Sequence, residues 1–326
     1  MSSVTAGRRE RSPFPSEGSY TNTRPRGEQL VNQIVLGDNL DVLRSLPDGS
    51  ADLVYVDPPF NTGRTQSRTR IKTTRSKNGD RIGFQGRRYE TSTLGTKRFH
   101  DKFDDYLAFL EPRLREAYRI LAPHGSFYLH VDYREVHRCR FLMDDLFGPG
   151  NFLNEIIWAY DYGARPKTRW PAKHDNILFY VKDVGNYVFN VDEIERIPYM
   201  APGLVGPEKA ARGKLPTDTW WHTIVPTNGA ERTGYPTQKP LGILRRIVTA
   251  SSRPGDVVLD FFAGSGTTGM AAHELGRRFI LVDNNPEALE VMAKRFAGVG
   301  EVRWAGFDPS GLQEPRGQPD LFGARQ

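Results

Sequence analysis

The chain has 326 residues, 38% of them hydrophobic and 26% charged, which fits two ordinary domains or one large α/β domain with insertions. A wholly disordered chain is excluded, no run of about 18 apolar residues argues for a membrane span, and no apolar stretch follows the charged start as a secretory signal would require. Basic residues outnumber acidic ones by 45 to 39, for a net charge of +6, while the lone Cys139 excludes an intramolecular disulfide framework and a cysteine-built metal site, so a reducing cytoplasm and no metal are expected.

Residues 1–28 are rich in Ser, Arg, Pro, Gly and Thr without periodicity and read as a disordered arm. A single catalytic domain is expected over 29–304. It starts with an apolar run at 33–36 and a helix at 38–46 (Leu40, Leu43, Leu46) that Pro47 and Gly49 end. A short buried strand at 52–56 is broken by Pro58 and Pro59. Within 61–100, nine Arg or Lys stand between Arg64 and Arg88 against one acid, Asp80. This stretch has no apolar period and reads as a mobile basic loop, either a solvated surface or a phosphate-contacting element. A strongly amphipathic helix follows over 103–121 (Phe103, Tyr106, Leu107, Leu110, Leu114), then a strand at 126–131, a helix at 134–146 and strands at 152–158 and 176–181. From 160 to 236 Pro, Trp, Arg, Lys and Thr interleave with little regularity. Order returns with a helix at 241–250, a strand at 257–261, a helix at 267–275, a strand at 279–282 and a helix at 286–296. Strands alternating with helices predict an α/β fold with a doubly wound, mostly parallel sheet. Residues 305–326 read as an unfolded tail.

Two strand ends carry chemistry. The strand at 257–261 runs into Phe262-Ala263-Gly264-Ser265-Gly266-Thr267-Thr268, a glycine turn opening a helix, where a ligand can lie against bare main chain near helix amides. The next strand ends in Asp283, placed to accept hydrogen bonds from a ribose diol. Strand, turn, helix, strand and acid in that order make a nucleoside-cofactor half-site. No lysine closes the turn as a phosphate loop requires.

The second strand end is Asp57-Pro58-Pro59-Phe60. Two prolines make a rigid turn that presents only main-chain acceptors, and the Asp57 carboxylate adds another. Such an assembly suits an exocyclic –NH2 group. Accepting its two protons on the Asp57 side chain and the Pro58 carbonyl would localise the nitrogen lone pair and aim it at an electrophile. Phe60 offers a face on which a planar base can stack. The plain alternative is a strand-ending turn with a capping Asp.

The D-P-P-F and F-A-G-S-G motifs, in that order, resemble the bacterial DNA amino-methyltransferases of the permuted group, in which the catalytic motif precedes the cofactor motif. The resemblance covers roughly residues 33–300. It implies S-adenosylmethionine as cofactor, with Asp38 at the adenine, Lys239 within a T-Q-K-P segment at a cofactor-binding helix, and Asp260, 262–268, Asp283 and Asn284 around the nucleoside. It further implies methyl transfer to a base flipped out of duplex DNA. Asp57 as first letter favours adenine N6. Cytosine N4 is the alternative, with an RNA guanine-N2 methylase or an inactive DNA-binding scaffold less favoured. Phe60 departs from the family's commoner Tyr and offers no hydroxyl.

Arg64, Arg68, Arg70, Lys72 and Arg75 of the basic segment, with Arg165, Lys167, Arg169 and His174 of the irregular region, are the expected DNA contacts. The 160–236 region is the expected target-recognition segment. Finally, Gln318, Asp320, Leu321 and Phe322 spell a Q-x-D-L-F peptide, which resembles the motif by which bacterial proteins dock on the DNA polymerase sliding clamp.

Overall fold

The computed structural model describes residues 32–60, 64–75, 81–82, 88–101, 105–163, 165–226 and 228–312. In chain order they form β1 (Asn32–Leu36), α1 (Asn39–Ser45), β2 (Ala51–Val56), β3 (Arg64–Arg75), β4 (Arg81–Ile82), β5 (Arg88–Asp101), α2 (Tyr106–Ile120) and β6 (Leu121–Asp132). Next come α3 (Val136–Phe147), β7 (Phe152–Ala159), β8 (His174–Val181), α4 (Pro207–Arg212), β9 (Thr219–Trp221) and α5 (Leu241–Ser251). The chain continues with β10 (Val257–Asp260), α6 (Thr267–Glu274), β11 (Arg278–Asp283), α7 (Pro286–Arg295) and β12 (Val302–Ala305).

Nine strands make one sheet in the order β12-β1-β11-β10-β2-β6-β8-β7-β9. All neighbours are parallel except β8, which runs against both β6 and β7. All six residues of β2 are buried, as a strand covered on both faces requires. Leu53, Tyr55 and Tyr128 join Ile247 of α5, Ala271 of α6 and Leu289 of α7 in one cluster. Side chains alternate along a strand, so Phe127, the neighbour of Tyr128, points the other way. There it meets Phe147 of α3, ring centroids 5.3 Å apart. The expected doubly wound α/β sheet is present. Because β1, β2, β6, β10 and β11 are mutually parallel, their C-terminal ends meet along one edge, where open α/β sheets hold their ligands.

Three expectations need correction. The basic segment expected as a loop instead forms a separate antiparallel sheet, β3-β5-β4, in which Arg64–Arg75 pairs with Arg88–Asp101. From Arg64 to Arg70 the sequence alternates Arg or Gln with Thr or Ser; β-branched Thr favours extended backbone, yet without apolar residues at alternate positions the usual period-2 signal is absent. The 160–236 region, read as having little regularity, lends the main sheet two strands: β8, expected at 176–181, lies between β6 and β7, and β9 extends the edge. Residues 305–312, expected within an unfolded tail, have defined structure instead. Val302–Ala305 pairs with β1, and a Cβ on Gly306 (φ +73°) would lie 2.6 Å from the Leu36 carbonyl, so the chain folds tightly over the end of β1. A four-residue edge strand with Arg303 and Trp304 carries too little pattern to be read. The arm at 1–28 and residues 318–322 lie outside the described residues.

Candidate active site

Asp57 follows β2 directly and sits at the parallel edge. Its Oδ2 is paired with Lys239 Nζ, and the same ammonium stands 4.9 Å from the centroid of the Phe60 ring. Its Oδ1 is buried without a hydrogen-bond partner among the described residues, 4.0 Å from His130 Nδ1. The turn therefore presents an unmatched carboxylate oxygen, and a nitrogen cation already sits over the aromatic face. Phe60 also leans on the His130 ring, 5.7 Å between centroids.

The glycine turn is built as its spelling demands. Gly264 and Gly266 have φ of +51° and +72°, a region that L side chains enter only with strain. A Cβ on Gly266 would lie 2.8 Å from Met292 Cγ and 2.9 Å from Phe296 Cε2, and one on Gly264 would press the Tyr235 ring at 3.2 Å. Close packing of α6 on α7 fixes the identity of Gly266, and Tyr235 leaning across the turn bears on Gly264. Asp260 organises the turn from below: Oδ1 accepts from the Phe262 N–H (3.0 Å) and Oδ2 from the Thr268 hydroxyl (2.6 Å). Burial drives its pKa up to about 7, against the lowering effect of those bonds and reinforced by Asp57 and Asp283. Arg295 ties the helix start to the preceding segment, donating to the Ser265 carbonyl and the Thr267 hydroxyl at 2.9 and 2.8 Å.

Asp283 ends β11. Its Oδ2 accepts from the Gly264 N–H (2.8 Å) and its Oδ1 from the Asn285 N–H (2.9 Å). Burial raises its pKa, with these main-chain bonds opposing. The Gly37 N–H donates to the Asp283 carbonyl at 3.1 Å, which brings the end of β1 beside it. Asp38 then caps α1, accepting from the Leu40 N–H at 2.8 Å, and faces Arg113 at 3.5 Å. Asn284 is exposed at the rim. The motifs that the sequence singled out are thus brought to neighbouring strand ends. Lys239 lies on the D-P-P-F side of the site by its ammonium, and only its carbonyl reaches the glycine helix, accepting from the Thr267 hydroxyl at 3.2 Å.

The expected DNA contacts are less concentrated. Arg165, Lys167 and Arg169 are exposed, with Trp170 at 95% exposure beside them; Arg165 pairs with Asp161. His174 faces the Tyr133 ring at 6.1 Å. The side chains of Arg64, Arg68, Arg70, Lys72 and Arg75 lie outside the described residues. Three site neighbours escaped the sequence reading. They are Tyr55, His130 and Asp175, linked by hydrogen bonds from Tyr55 Oη to His130 Nδ1 (2.7 Å) and from His130 Nε2 to Asp175 Oδ2 (3.2 Å). The one available signal was a histidine inside the otherwise apolar run Phe127-Tyr128-Leu129-His130-Val131, since a buried polar side chain needs partners.

An acid-lined cradle of bare glycine backbone suits a cationic nucleoside, and the buried acceptor of Asp57 suits an amine, so the residues present fit S-adenosylmethionine beside an amino group. The class defined by this pairing on a doubly wound sheet is the methyltransferase. The DNA methylase family, which covers N6 and N4 amino-methyltransferases, matches residues 51–295, and the chain belongs to it. Type II methyltransferase M.HpaI of Haemophilus parainfluenzae is 30% identical over 281 residues, 86% of this chain and 77% of that protein. DNA adenine methyltransferase YhdJ of Escherichia coli is 32% identical over 270 residues, 80% of this chain and 81% of that protein. Among solved structures, PvuII DNA methyltransferase, cytosine-N4-specific, superposes with a TM-score of 0.57 at 18% identity, covering 81% of this chain and 86% of that one.

Proposed function

We propose that this DNA methyltransferase transfers the methyl group of S-adenosylmethionine to adenine N6 of a base turned out of duplex DNA. The observation that carries the reading is the Lys239 ammonium, bonded to Asp57 and standing over Phe60. A donor-only nitrogen above an aromatic face is the arrangement a flipped aminopurine would make, and the base would take over those contacts as Lys239 withdraws. S-adenosylmethionine supplies a sulfonium-activated methyl, an electrophile strong enough that alignment and lone-pair polarisation by Asp57 and the Pro58 carbonyl do most of the remaining work. The adenine assignment follows Asp57 as first letter and the adenine specificity in the name of one relative. Cytosine N4 is the second reading, favoured by the specificity of the PvuII enzyme. Nucleoside mass spectrometry after methylation of genomic DNA decides between them. N6-methyldeoxyadenosine is expected, and N4-methyldeoxycytidine alone would replace the first reading with the second.

Asp283 is assigned to the ribose diol. Asp283→Ala is expected to weaken cofactor binding by about tenfold or more, the size of a lost charge-assisted hydrogen bond, and calorimetry reads it directly. Unchanged affinity would remove the assignment. Asp260 serves the cofactor only through the turn it braces.

The β3-β5 ribbon is assigned to the DNA backbone, with Arg165, Lys167, Arg169 and His174 on a second contact surface beside exposed Trp170. Replacing Arg68, Arg70, Lys72 and Arg75 together by Gln is expected to weaken duplex binding at every sequence alike and to flatten its salt dependence, by up to about 0.9 in log–log slope for each phosphate left without its cation. Altered sequence preference with an unchanged slope would make the ribbon a reader of bases.

Action on chromosomal DNA implies the cytoplasm. Among the described residues no helix is long and apolar enough to cross a membrane. Gln318, Asp320, Leu321 and Phe322 are assigned, on their spelling, to sliding-clamp docking, which would raise the enzyme's local concentration on newly copied DNA. A synthetic 313–326 peptide is expected to bind the host clamp at about 100 µM or tighter and to lose binding on Leu321→Ala with Phe322→Ala. Binding that survives both changes refutes the pocket model.

A further inference from the structure

His130 is a fully buried histidine that the methyl-transfer reading leaves without a task. It lies on β6, and the groups around it come from several elements. From β2, the Tyr55 hydroxyl is 2.7 Å from Nδ1. From the turn after β2, Asp57 Oδ1 is 4.0 Å from the same nitrogen. From β8, Asp175 Oδ2 is 3.2 Å from Nε2. After β7, Tyr160 donates its hydroxyl to the other Asp175 oxygen at 3.1 Å. The Phe60 ring is tilted against the imidazole and the Trp158 ring meets it edge-on, centroids 5.7 and 5.5 Å away. Lys239 is paired with Asp57, and its charge also acts on Asp175.

These contacts fix the imidazole's tautomer. Burial, reinforced by Asp57, raises the Tyr55 pKa well above its ordinary value, so Tyr55 keeps its proton and can donate it to Nδ1 of a neutral imidazole. Burial alone would raise Asp175, but its bond to and charge interaction with His130, together with Lys239 and Tyr160, hold it below the usual carboxylate range. Asp175 is therefore an acceptor, Nε2 carries the hydrogen, and Nδ1 is the basic nitrogen on the side of Asp57. A carboxylate that orients an imidazole and stabilises its protonated form is the pairing that hydrolases use to make histidine a general base.

We propose that His130, held by Asp175, receives the proton that the target amine sheds on methylation, with Asp57 as the intermediate carrier. The inference rests on the amino-methylation reading but not on which base is modified. A neutral –NH2 that gains a methyl cation becomes cationic and must lose one proton to give the neutral N-methyl product. In the proposed step one N–H bond breaks, its electron pair returns to nitrogen, and the proton bonds to Asp57 Oδ1. It then passes to His130 Nδ1 as the Tyr55 hydroxyl turns from donor to acceptor, which restores the Asp57 carboxylate. The imidazolium, paired with Asp175, returns its proton to solvent once the product leaves. The transfer needs the 4.0 Å gap to close by about 1 Å, to hydrogen-bond range. Asp57 touches the substrate; His130 and Asp175 act through it.

The test pairs NMR of the apoenzyme with single-turnover methylation. In wild type, ring-15N spectra are expected to show the Nε2–H tautomer at high pH and a second proton entering at Nδ1 as pH falls. The acid limb of the single-turnover rate on duplex DNA is expected at the same midpoint. His130→Gln keeps a donor for Asp175 and deletes Nδ1. It is expected to lower the rate by at least about tenfold and to abolish the acid limb, with cofactor and DNA affinities within about twofold of wild type. Asp175→Asn is expected to move both the NMR midpoint and the acid limb to lower pH. The proposal is overturned if wild-type His130 keeps one protonation state across the acid limb, or if His130→Gln retains that limb. Wild-type enzyme that leaves the amines of DNA unmethylated at every pH would instead overturn the amino-methylation reading, with the NMR tautomer still judging the dyad.

Discussion

Asp57→Ala is expected to lower methyl transfer by more than about a hundredfold, the usual cost of removing an aligned charged acceptor in a transition state, while cofactor affinity stays within about twofold. The separation follows from the layout. Asp57 lies at the end of β2, whereas the nucleoside side of the site is built at the ends of β10, β11 and β1, with Asp283 and Gly264 bonded to each other and not to Asp57. Asp57→Ala also strips Lys239 of its carboxylate partner in a mostly buried position, so a second variant guards against a merely structural loss. Asp57→Asn keeps the shape and one acceptor oxygen but turns an –NH2 donor on the site. Repelling an amine and a lysine alike, it is expected to be as inactive as the alanine variant. Single-turnover rates with calorimetric cofactor titrations check both. Turnover within about tenfold of wild type in either variant, a loss under about 1.4 kcal/mol, would take the amine away from Asp57.

Lys239→Met bears on the same arrangement from the other side. If the ammonium must give way to the entering base, its removal frees Asp57 for the substrate but also removes a positive charge from the pocket. We therefore expect the change to fall on DNA binding before it falls on the chemical step, and the ratio of Kd to single-turnover rate reads which.

The parts of the site that were legible in the sequence are those encoded within a few consecutive residues. D-P-P-F and the glycine turn force their own backbone geometry: proline fixes φ, and only glycine tolerates φ of +51° and +72° beside Met292 and Phe296. Asp283 was legible because a strand of apolar residues ends on it. Tyr55, His130 and Asp175 were not, because they meet only through strand pairing, β2 with β6 in parallel and β6 with β8 antiparallel. His174 drew attention as a histidine, yet its neighbour Asp175 holds the site contact, since alternate residues of a strand face opposite ways. The basic ribbon failed for a different reason. A strand with two polar faces has no hydrophobic alternation, and Thr-rich β-propensity alone is a weak signal. Secondary-structure boundaries were shifted where turns are local. The helix expected from Arg134 begins at Val136, and the strand expected from 126 already starts at Leu121, its register slipping between Ala51 and Leu53 to accommodate Pro123 and Gly125.

Asp260 makes the stability of the fold depend on pH in a direction unusual for a carboxylate. It is buried under the glycine turn, and that burial, against the opposing bonds from Thr268 and Phe262 and with Asp57 and Asp283 nearby, sets its pKa at about 7. An unfolded Asp titrates near about 3.9. Between about pH 4 and pH 7 the native state therefore holds a proton that the unfolded state has released, and linkage makes stability fall as pH rises through that window. Below it both states are protonated and the penalty is absent; above it the full penalty remains. A three-unit difference corresponds to on the order of 4 kcal/mol. Asp283, also raised by burial, acts in the same direction, whereas Asp175, held low, acts oppositely as pH falls toward the carboxylate range. Asp260→Asn isolates the contribution. The amide has the shape of the protonated acid, its oxygen accepting from the Phe262 N–H and its –NH2 donating to the Thr268 hydroxyl, and it does not titrate. Thermal melts of the apoenzyme at pH 5 and pH 8 are expected to show wild type losing several degrees more than the variant on going to the higher pH, with the variant the more stable of the two at pH 8. Parallel pH dependence in wild type and variant would mean that Asp260 is ionised in the native state throughout, and that Thr268 and Phe262 hold a charge beneath the glycine turn.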